Sequence, residues 1–330
     1  MQCAFGRESR EKKRCNTMPR TEVDTSAPTG NTVIQDFRSG YVAIVGEPNV
    51  GKSTLLNAIL GQKISIVTPK AQTTRHRILG IHSTDLAQII FLDTPGILRP
   101  RYALHDAMMR SATSAIADAD IVLFMVDASR GPEAGEGSGD ALASLQRTRK
   151  PVYLVINKCD LAGRDVLSRL REFYTGRHPF AKSFTVSALK KEGTGDLLGV
   201  LTAELPVHPP YYPLDIVSEH HQRFFVAEII REQVFLNTHE EIPYSTTVDI
   251  VEFAEREEGK WFISADLYVE RDSQKGILIG KKGAMMKAIG RLARVDIERF
   301  LDHPVFLDLH VKVREKWREK PEWLKRLGYQ

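Results

Sequence analysis

The sequence predicts an α/β domain followed by a smaller α+β domain, and three observations carry this. Apolar-rich runs at residues 41–45, 88–93, 121–127 and 152–156 read as buried strands, each leading into a short polar segment. A glycine loop joins the first run to a helical pattern at residues 54–60. Beyond residues 206–213, which hold too much proline to continue either a helix or a strand, a second set of elements follows in a different order. A chain of 330 residues also exceeds what one core usually organises. The expected divisions are an extension at 1–38, a first domain at 39–205, a proline-rich linker at 206–216 and a second domain at 217–330 that ends in a basic tail.

Hydrophobic residues make up 42% and charged residues 27%, ordinary for a soluble globular protein, and no apolar run approaches the roughly 18 residues of a membrane span. Cys3, Cys15 and Cys159 are too few and too scattered for a disulfide framework or a metal-ligand pattern, so a reducing cytoplasm is the expected setting. The net charge of +4 leans mildly towards an anionic partner. Residues 1–38 carry Arg7, Arg10, Lys12, Lys13 and Arg14 and then a Thr/Ser/Pro/Gly-rich stretch, a composition that predicts disorder. An organelle transit peptide would be poor in acids, and Glu8, Glu11, Glu22 and Asp24 argue against one; Met18 is an alternative start.

Residues 46–53, GEPNVGKS, form a GxxxxGK[ST] loop between strand and helix, the context this motif needs. Gly46, Glu47, Pro48, Asn49, Val50 and Gly51 are expected to curl backbone N–H groups around phosphate oxygens, with Lys52, Ser53 and Thr54 opening the helix beneath them. Lys52 would bridge the β and γ phosphates, and the Ser53 hydroxyl would be a ligand of Mg²⁺. Such a loop arises by chance in about 1% of chains of this length, so further motifs must decide.

Asp93, Thr94, Pro95 and Gly96 end the second run. Asp93 is placed to hold Mg²⁺ through water, and Gly96 can offer its N–H to the γ-phosphate, which would make this segment a switch sensitive to that phosphate. The polar stretch at residues 69–75, PKAQTTR, is a second switch candidate, with Thr74 as the Mg²⁺ threonine and Thr73 the alternative. Asn157, Lys158 and Asp160 form an NKxD motif. Guanine presents two adjacent donors, N1–H and N2–H₂, that one carboxylate accepts together, whereas adenine presents an acceptor at N1; Asp160 is therefore expected to select GTP and GDP. Asn157 would brace the loops, Lys158 would cover the base, and Ser187, Ala188 and Leu189 would supply an N–H for guanine O6.

The second domain reads in the order α-β-β-α-α-β, with a helix carrying Phe225, Val226, Ile229, Ile230 and Val234 and alternating strands at 261–269 and 305–313. Between its later helices lies Gly280, Lys281, Lys282, Gly283. A GxxG turn beside a sheet clamps single-stranded nucleic acid, because small glycines allow close approach and the lysines meet phosphates; Ile279 and Lys287 flank it. Residues 218–272 hold 5 Lys/Arg against 13 Asp/Glu, while residues 273–330 hold 14 against 7, so the positive charge gathers on the half that contains the turn. The tail from Lys312 to Arg326 interleaves Trp317 and Trp323 with basic residues, a pattern that fits either a strand-tracking surface or a solvated helix whose tryptophans pack on the core.

GEPNVGKS, PKAQTTRHR, FLDTPGI, NKCD and SAL, followed by ILIGKKG and a closing WLKRLGY, resemble in order and content the Era family of bacterial ribosome-assembly GTPases, from about residue 39 to the C-terminus. The resemblance implies a Ras-like P-loop GTPase domain joined to a type II KH domain. It also implies a monomer that binds the 3′ end of small-subunit ribosomal RNA, assists maturation of the small ribosomal subunit and in some bacteria associates peripherally with the inner membrane. Ile97 stands where many small GTPases carry a catalytic glutamine, which implies slow unaided hydrolysis. Asn49 matches a position that in related GTPases helps hold a potassium ion near the phosphates. Nucleotide state is expected to reach the KH surface through the segments near Thr74 and Gly96.

Overall fold

The computed structural model describes residues 36–132 and 139–329. The disordered extension expected at 1–38 thus falls almost wholly outside the described residues. The first domain contains strands β1 (Arg38–Gly46), β2 (Ile78–Ser83), β3 (Ala87–Asp93), β4 (Ile121–Asp127), β5 (Val152–Asn157) and β6 (Lys182–Thr185), with helices α1 (Lys52–Leu60), α2 (Ala103–Asp118), α3 (Gly139–Ala143), α4 (Arg164–Thr175) and α5 (Thr194–Glu204). The sheet order is β2-β3-β1-β4-β5-β6, parallel throughout except where β2 meets β3.

Helices cover both faces of this sheet. Ala43, Val45, Leu92, Phe124 and Leu154 pack against Ala112 and Ala115 of α2 and Leu170 and Tyr174 of α4, while Val42, Ile44, Phe91, Leu123 and Tyr153 pack against Leu55 and Leu56 of α1 and Leu197 and Leu201 of α5. Strands buried on both faces show no alternation, which is why β1, β3, β4 and β5 read as unbroken apolar runs. All four point their C-terminal ends at one edge of the sheet, and the loops there carry the phosphate, switch and base motifs. The proline-rich stretch is fastened along the first domain: Gln88 Oε1 accepts from the amides of Tyr211 and Tyr212 at 2.8 and 2.9 Å, and Ser39 Oγ donates to Pro209 O at 2.7 Å.

The second domain contains α6 (Gln222–Asn237), a one-turn α7 (Ile242–Ser245), β7 (Thr247–Ala254), β8 (Trp261–Val269), α8 (Asp272–Ile279), α9 (Ala284–Leu301), β9 (Val305–Val313) and α10 (Pro321–Arg326). Its sheet runs β7-β8-β9, the first pair antiparallel and the second parallel. Ile263, Ala265, Leu267 and Val269 alternate inward onto Val226, Ile230 and Val234 of α6 and Ile289, Ala293 and Ile297 of α9. Among the described residues no helix is long and apolar enough to cross a membrane.

The tail settles the open reading of its tryptophans. Trp317 is fully buried, donates Nε1–H to Ser245 O at 2.9 Å and packs with Leu324 and Tyr329 against Leu104, Ala107 and Met108 of α2. Trp323 lies across Tyr268 with ring centroids 5.3 Å apart. For Trp317, stacking on a nucleic-acid strand is therefore corrected to packing, because the tail finds an apolar helix of the first domain that a local pattern does not reveal. The same helix buries His105, 3% exposed, with Nε2 3.0 Å from Gln72 Oε1.

Burial pushes the His105 imidazole down to about 4, with Arg318, Arg75 and Arg101 adding repulsion. The unfolded chain takes up this proton near pH 6.5 and the folded one does not, so the contribution to stability is complete above about pH 6.5 and falls as pH drops towards 4. At pH 5 the loss reaches about 2 kcal/mol. The urea midpoint should be lower at pH 5 than at pH 7, and His105→Gln should narrow that gap; an unchanged gap would assign it to other groups.

Candidate functional site

The loop after β1 winds around a cavity of about 480 Å³, lined by Pro48, Asn49, Gly51, Lys52, Ser53 and Thr54 from the loop and α1, Thr73 and Thr74 from one switch segment, Gly96 from the other, and Arg130 and Lys158. Gly51 has φ +98°, and a Cβ there would lie 2.3 Å from Asn157 Nδ2, so only glycine lets the loop turn into α1. Lys52 is buried and donates Nζ–H to Glu47 O at 2.7 Å and Gly46 O at 3.3 Å, which aims its charge along the loop. Burial lowers the Lys52 ammonium to about 8, and Asp93 and Glu47 counter part of that. A bound phosphate would raise it again.

Beneath the loop, four oxygen-bearing side chains converge. Ser53 Oγ donates to Asp93 Oδ2 at 2.6 Å and lies 2.9 Å from Thr74 Oγ1; Ser65 Oγ donates to the same carboxylate oxygen at 2.9 Å. Asp93 is fully buried, and its Oδ1 takes no hydrogen bond from any described residue. Burial pushes its carboxyl up against the pull of Ser53 and Lys52. Two hydroxyls and a buried carboxylate with an unsatisfied oxygen form a hard donor set of the kind Mg²⁺ takes, so the residues fit that ion. Thr74, rather than Thr73, faces this cluster: the Thr73 hydroxyl turns back to Lys70 O at 2.8 Å and to Thr68 Oγ1.

The second switch segment is held tightly. Thr94 is buried and donates to Ile44 O at 2.8 Å, Pro95 is buried, and a Cβ on Gly96 would meet Pro48 Cα at 2.7 Å. Only glycine can lie this close to the phosphate loop, and the amide of Ile97 donates to Gly46 O at 3.0 Å. The Ile97 side chain is buried and apolar. That side chain has no polar group with which to orient water.

Asn157 ties the base motifs to the phosphate loop by donating Nδ2–H to Val50 O at 2.8 Å and accepting from the amide of Ala188 at 2.9 Å. Lys158, at φ 61°, donates Nζ–H to Asp127 Oδ2 at 2.6 Å. Burial works against ionisation of Asp127, but hydrogen bonds from Lys158 and Ser129 outweigh it and hold the carboxyl below the usual range. Asp160 follows in a short 3₁₀ turn with Lys190 Nζ 3.9 Å away, and its carboxylate takes no hydrogen bond from any described side chain. Ser187 is buried, whereas the Leu189 side chain is 80% exposed. Asp160 and residues 187–189 do not line the phosphate cavity.

Two contributors lie outside the motifs. Ser65 joins the Asp93 cluster, and Arg130 lines the cavity with Nη1 3.3 Å from Glu47 Oε2. In the second domain, Gly280 and Gly283 at φ +73° and +76° bring exposed Lys281 and Lys282 to the corner between α8 and α9. Half-buried Ile279 precedes the turn, and exposed Lys287 continues into a groove with Lys260, Arg291, Arg294, Phe306 and Leu307. The spacing of Lys287, Arg291 and Arg294, four and three residues apart, is the helical-face signal that would have marked the groove.

A nucleotide-type phosphate loop flanked by two switch segments and an NKxD motif puts the first domain among P-loop GTPases, and helices joined by GxxG against a three-stranded mixed sheet put the second among KH domains. Comparison with known proteins agrees: a family described as 50S ribosome-binding GTPase matches residues 41–158, and the KH domain family matches residues 241–318. GTPase Era of Geotalea daltonii is 49% identical over 90% of this chain and 99% of its own length, and GTPase Era of Lacticaseibacillus paracasei is 47% identical over 90% and 98%. Two solved structures each cover 89% of this chain and 99% of their own, with a TM-score of 0.82: a variant of Aquifex aeolicus Era bound to GDP·AlF₄⁻, at 39% identity, and Era in complex with MgGDPNP and nucleotides 1506–1542 of 16S ribosomal RNA, at 40%. The chain belongs to the GTPase Era family and is a GTPase.

Proposed function

We propose that this protein is a GTP-hydrolysing switch that binds the 3′ region of small-subunit ribosomal RNA through its KH domain and assists maturation of the small subunit. The observation that carries the reading is the cluster of Ser53, Thr74 and Asp93 beside Lys52, joined in one chain to an exposed GKKG turn and a basic groove. The small subunit is preferred over the large one named for the matched GTPase family, because the RNA-bound neighbour spans both domains and carries a 16S fragment.

In this reading residues 46–54 and Gly96 hold the phosphates, and Lys52 neutralises charge that builds on them during transfer to water. Ser53 and Thr74 would hold Mg²⁺ directly and Asp93 through water; the ion supplies further charge neutralisation when bound. Asn157, Lys158, Asp160 and residues 187–189 hold the guanine. With Ile97 in place of a glutamine, hydrolysis to GDP and phosphate is slow without an activator. Potassium is part of the proposal: Asn49 donates Nδ2–H to Pro69 O at 3.0 Å, which leaves its side-chain oxygen for a cation. GTPase rates should be higher in potassium than in sodium buffer, and equal rates would remove the ion from the scheme. The protein would act as a monomer in the cytoplasm, any membrane contact being peripheral.

Lys281→Asp/Lys282→Asp tests the RNA half. Affinity for a 16S 3′-terminal fragment should fall about 10- to 100-fold at moderate salt, with a shallower salt dependence, while GTP affinity stays unchanged. Undiminished RNA binding would contradict the clamp.

A further inference from the structure

We propose that Arg231, in the second domain, is a positioning residue for GTP hydrolysis in the first: it holds the backbone beside Thr74, so that the switch threonine meets the Ser53 and Asp93 cluster only while the domains are docked. The inference rests on the reading of Thr74 given above and deepens it.

Arg231 lies on α6 and is 1% exposed. Its Nη2 donates to Thr73 O at 2.6 Å, and Nε donates to Glu228 Oε1 at 2.8 Å, one turn earlier on the same helix. On the other side of Thr74, buried Arg75 reaches into the second domain, donating to Thr246 O at 2.8 Å and to Pro243 O and Tyr244 O at 3.0 Å. Lys70 donates to Phe235 O and Thr238 O at the end of α6, and the amide of Val67 donates to Glu232 Oε1 at 3.0 Å. The first domain's own hold on this segment includes Asn49 on Pro69 O and Ser53 against Thr74.

A buried ion pair seldom stabilises a fold better than apolar residues of the same volume. Arg231 and Glu228 have a second use that apolar residues cannot serve, since the guanidinium that Glu228 orients is the donor that meets Thr73 O. Because Thr73 O and the Thr74 hydroxyl belong to adjoining residues, fixing one restricts the other. Misplacing a catalytic constellation by about 1 Å can lower turnover about 100-fold. Coupling is reciprocal, so a nucleotide state that engages Thr74 also favours docking.

The test uses the full chain carrying Glu228→Gln with Arg231→Met, which removes both buried charges together and keeps the volume. GTP turnover should fall about 10- to 100-fold, and the Mg²⁺ concentration for half-maximal turnover should rise, while GDP affinity stays at the wild-type value. A merely structural role would weaken GDP binding as well. Wild-type turnover and Mg²⁺ dependence in a folded double variant would overturn the proposal. If the double variant does not fold, hydrogen exchange on otherwise unaltered protein decides: a non-hydrolysable GTP analogue with Mg²⁺ should protect amides in residues 228–246 more than GDP does, and Thr74→Ala should erase the difference. Equal protection with both nucleotides would overturn it. A wild-type protein unable to hydrolyse GTP would remove the underlying reading as well.

Discussion

Asp160→Asn should lower GTP affinity about 10⁴-fold while creating measurable affinity for xanthosine nucleotides. Guanine offers donors at N1 and N2, and a carboxylate accepts both; an amide accepts one and confronts the other with its own N–H. Xanthine replaces the N2 donor with a carbonyl oxygen, which that N–H can serve. The position is prepared for this exchange, because no described side chain hydrogen-bonds the Asp160 carboxylate and the ion pair with Lys190 Nζ is long, at 3.9 Å. Asn157 fixes the strand end before it through Val50 O and the Ala188 amide. Titration of wild-type and variant protein with GDP and xanthosine diphosphate decides the matter. Unchanged GDP binding in the variant would mean that guanine is read elsewhere, and the assignment of Lys158 and residues 187–189 would fall with it.

How much could be read from the residues alone depended on whether the relevant physics is local. β8 and β9 carry an apolar residue at every second position, and their bounds at Trp261–Val269 and Val305–Val313 follow from that alternation. β3, β4 and β5 are unbroken apolar runs because both faces are covered. β2 gives no such signal: Gly80 interrupts it because a Cβ there would lie 2.8 Å from Leu56 Cδ1, and His82 and Ser83 blur the rest. Helix α2 escaped because its alanines are small and the partners of its first two turns, Trp317, Leu324 and Tyr329, lie at the far end of the chain. The phosphate loop, both switch segments and the NKxD motif were legible since each is a contiguous string shaped by one ligand. Ser65 and Arg130 were not, being ordinary residues made relevant by what they touch. The bond from Arg231 to Thr73 O spans 158 positions, and no pattern near either residue announces it.

Trp317→Ala should destabilise the chain by about 3–5 kcal/mol, the range for emptying a buried indole site. Trp317 is fully buried among Leu104, Ala107, Met108, Leu324 and Tyr329, so truncation leaves a void that touches both domains. It also strips Ser245 O of its donor, next to the carbonyls that receive Arg75. Trp317→Phe separates the two losses: most of the packing survives, and what remains is an unsatisfied carbonyl worth about 1–3 kcal/mol. Urea unfolding followed at two wavelengths would measure both, with the alanine variant expected to split one transition into two as the domains come apart. A midpoint within error of wild type for Trp317→Ala would show that the tail only rests on α2. Docking would then rest on the contacts that His220, α6 and residues 243–246 make with residues 63–77, and the helix that follows Gly96 would lose the buried indole as its link to the RNA-binding domain.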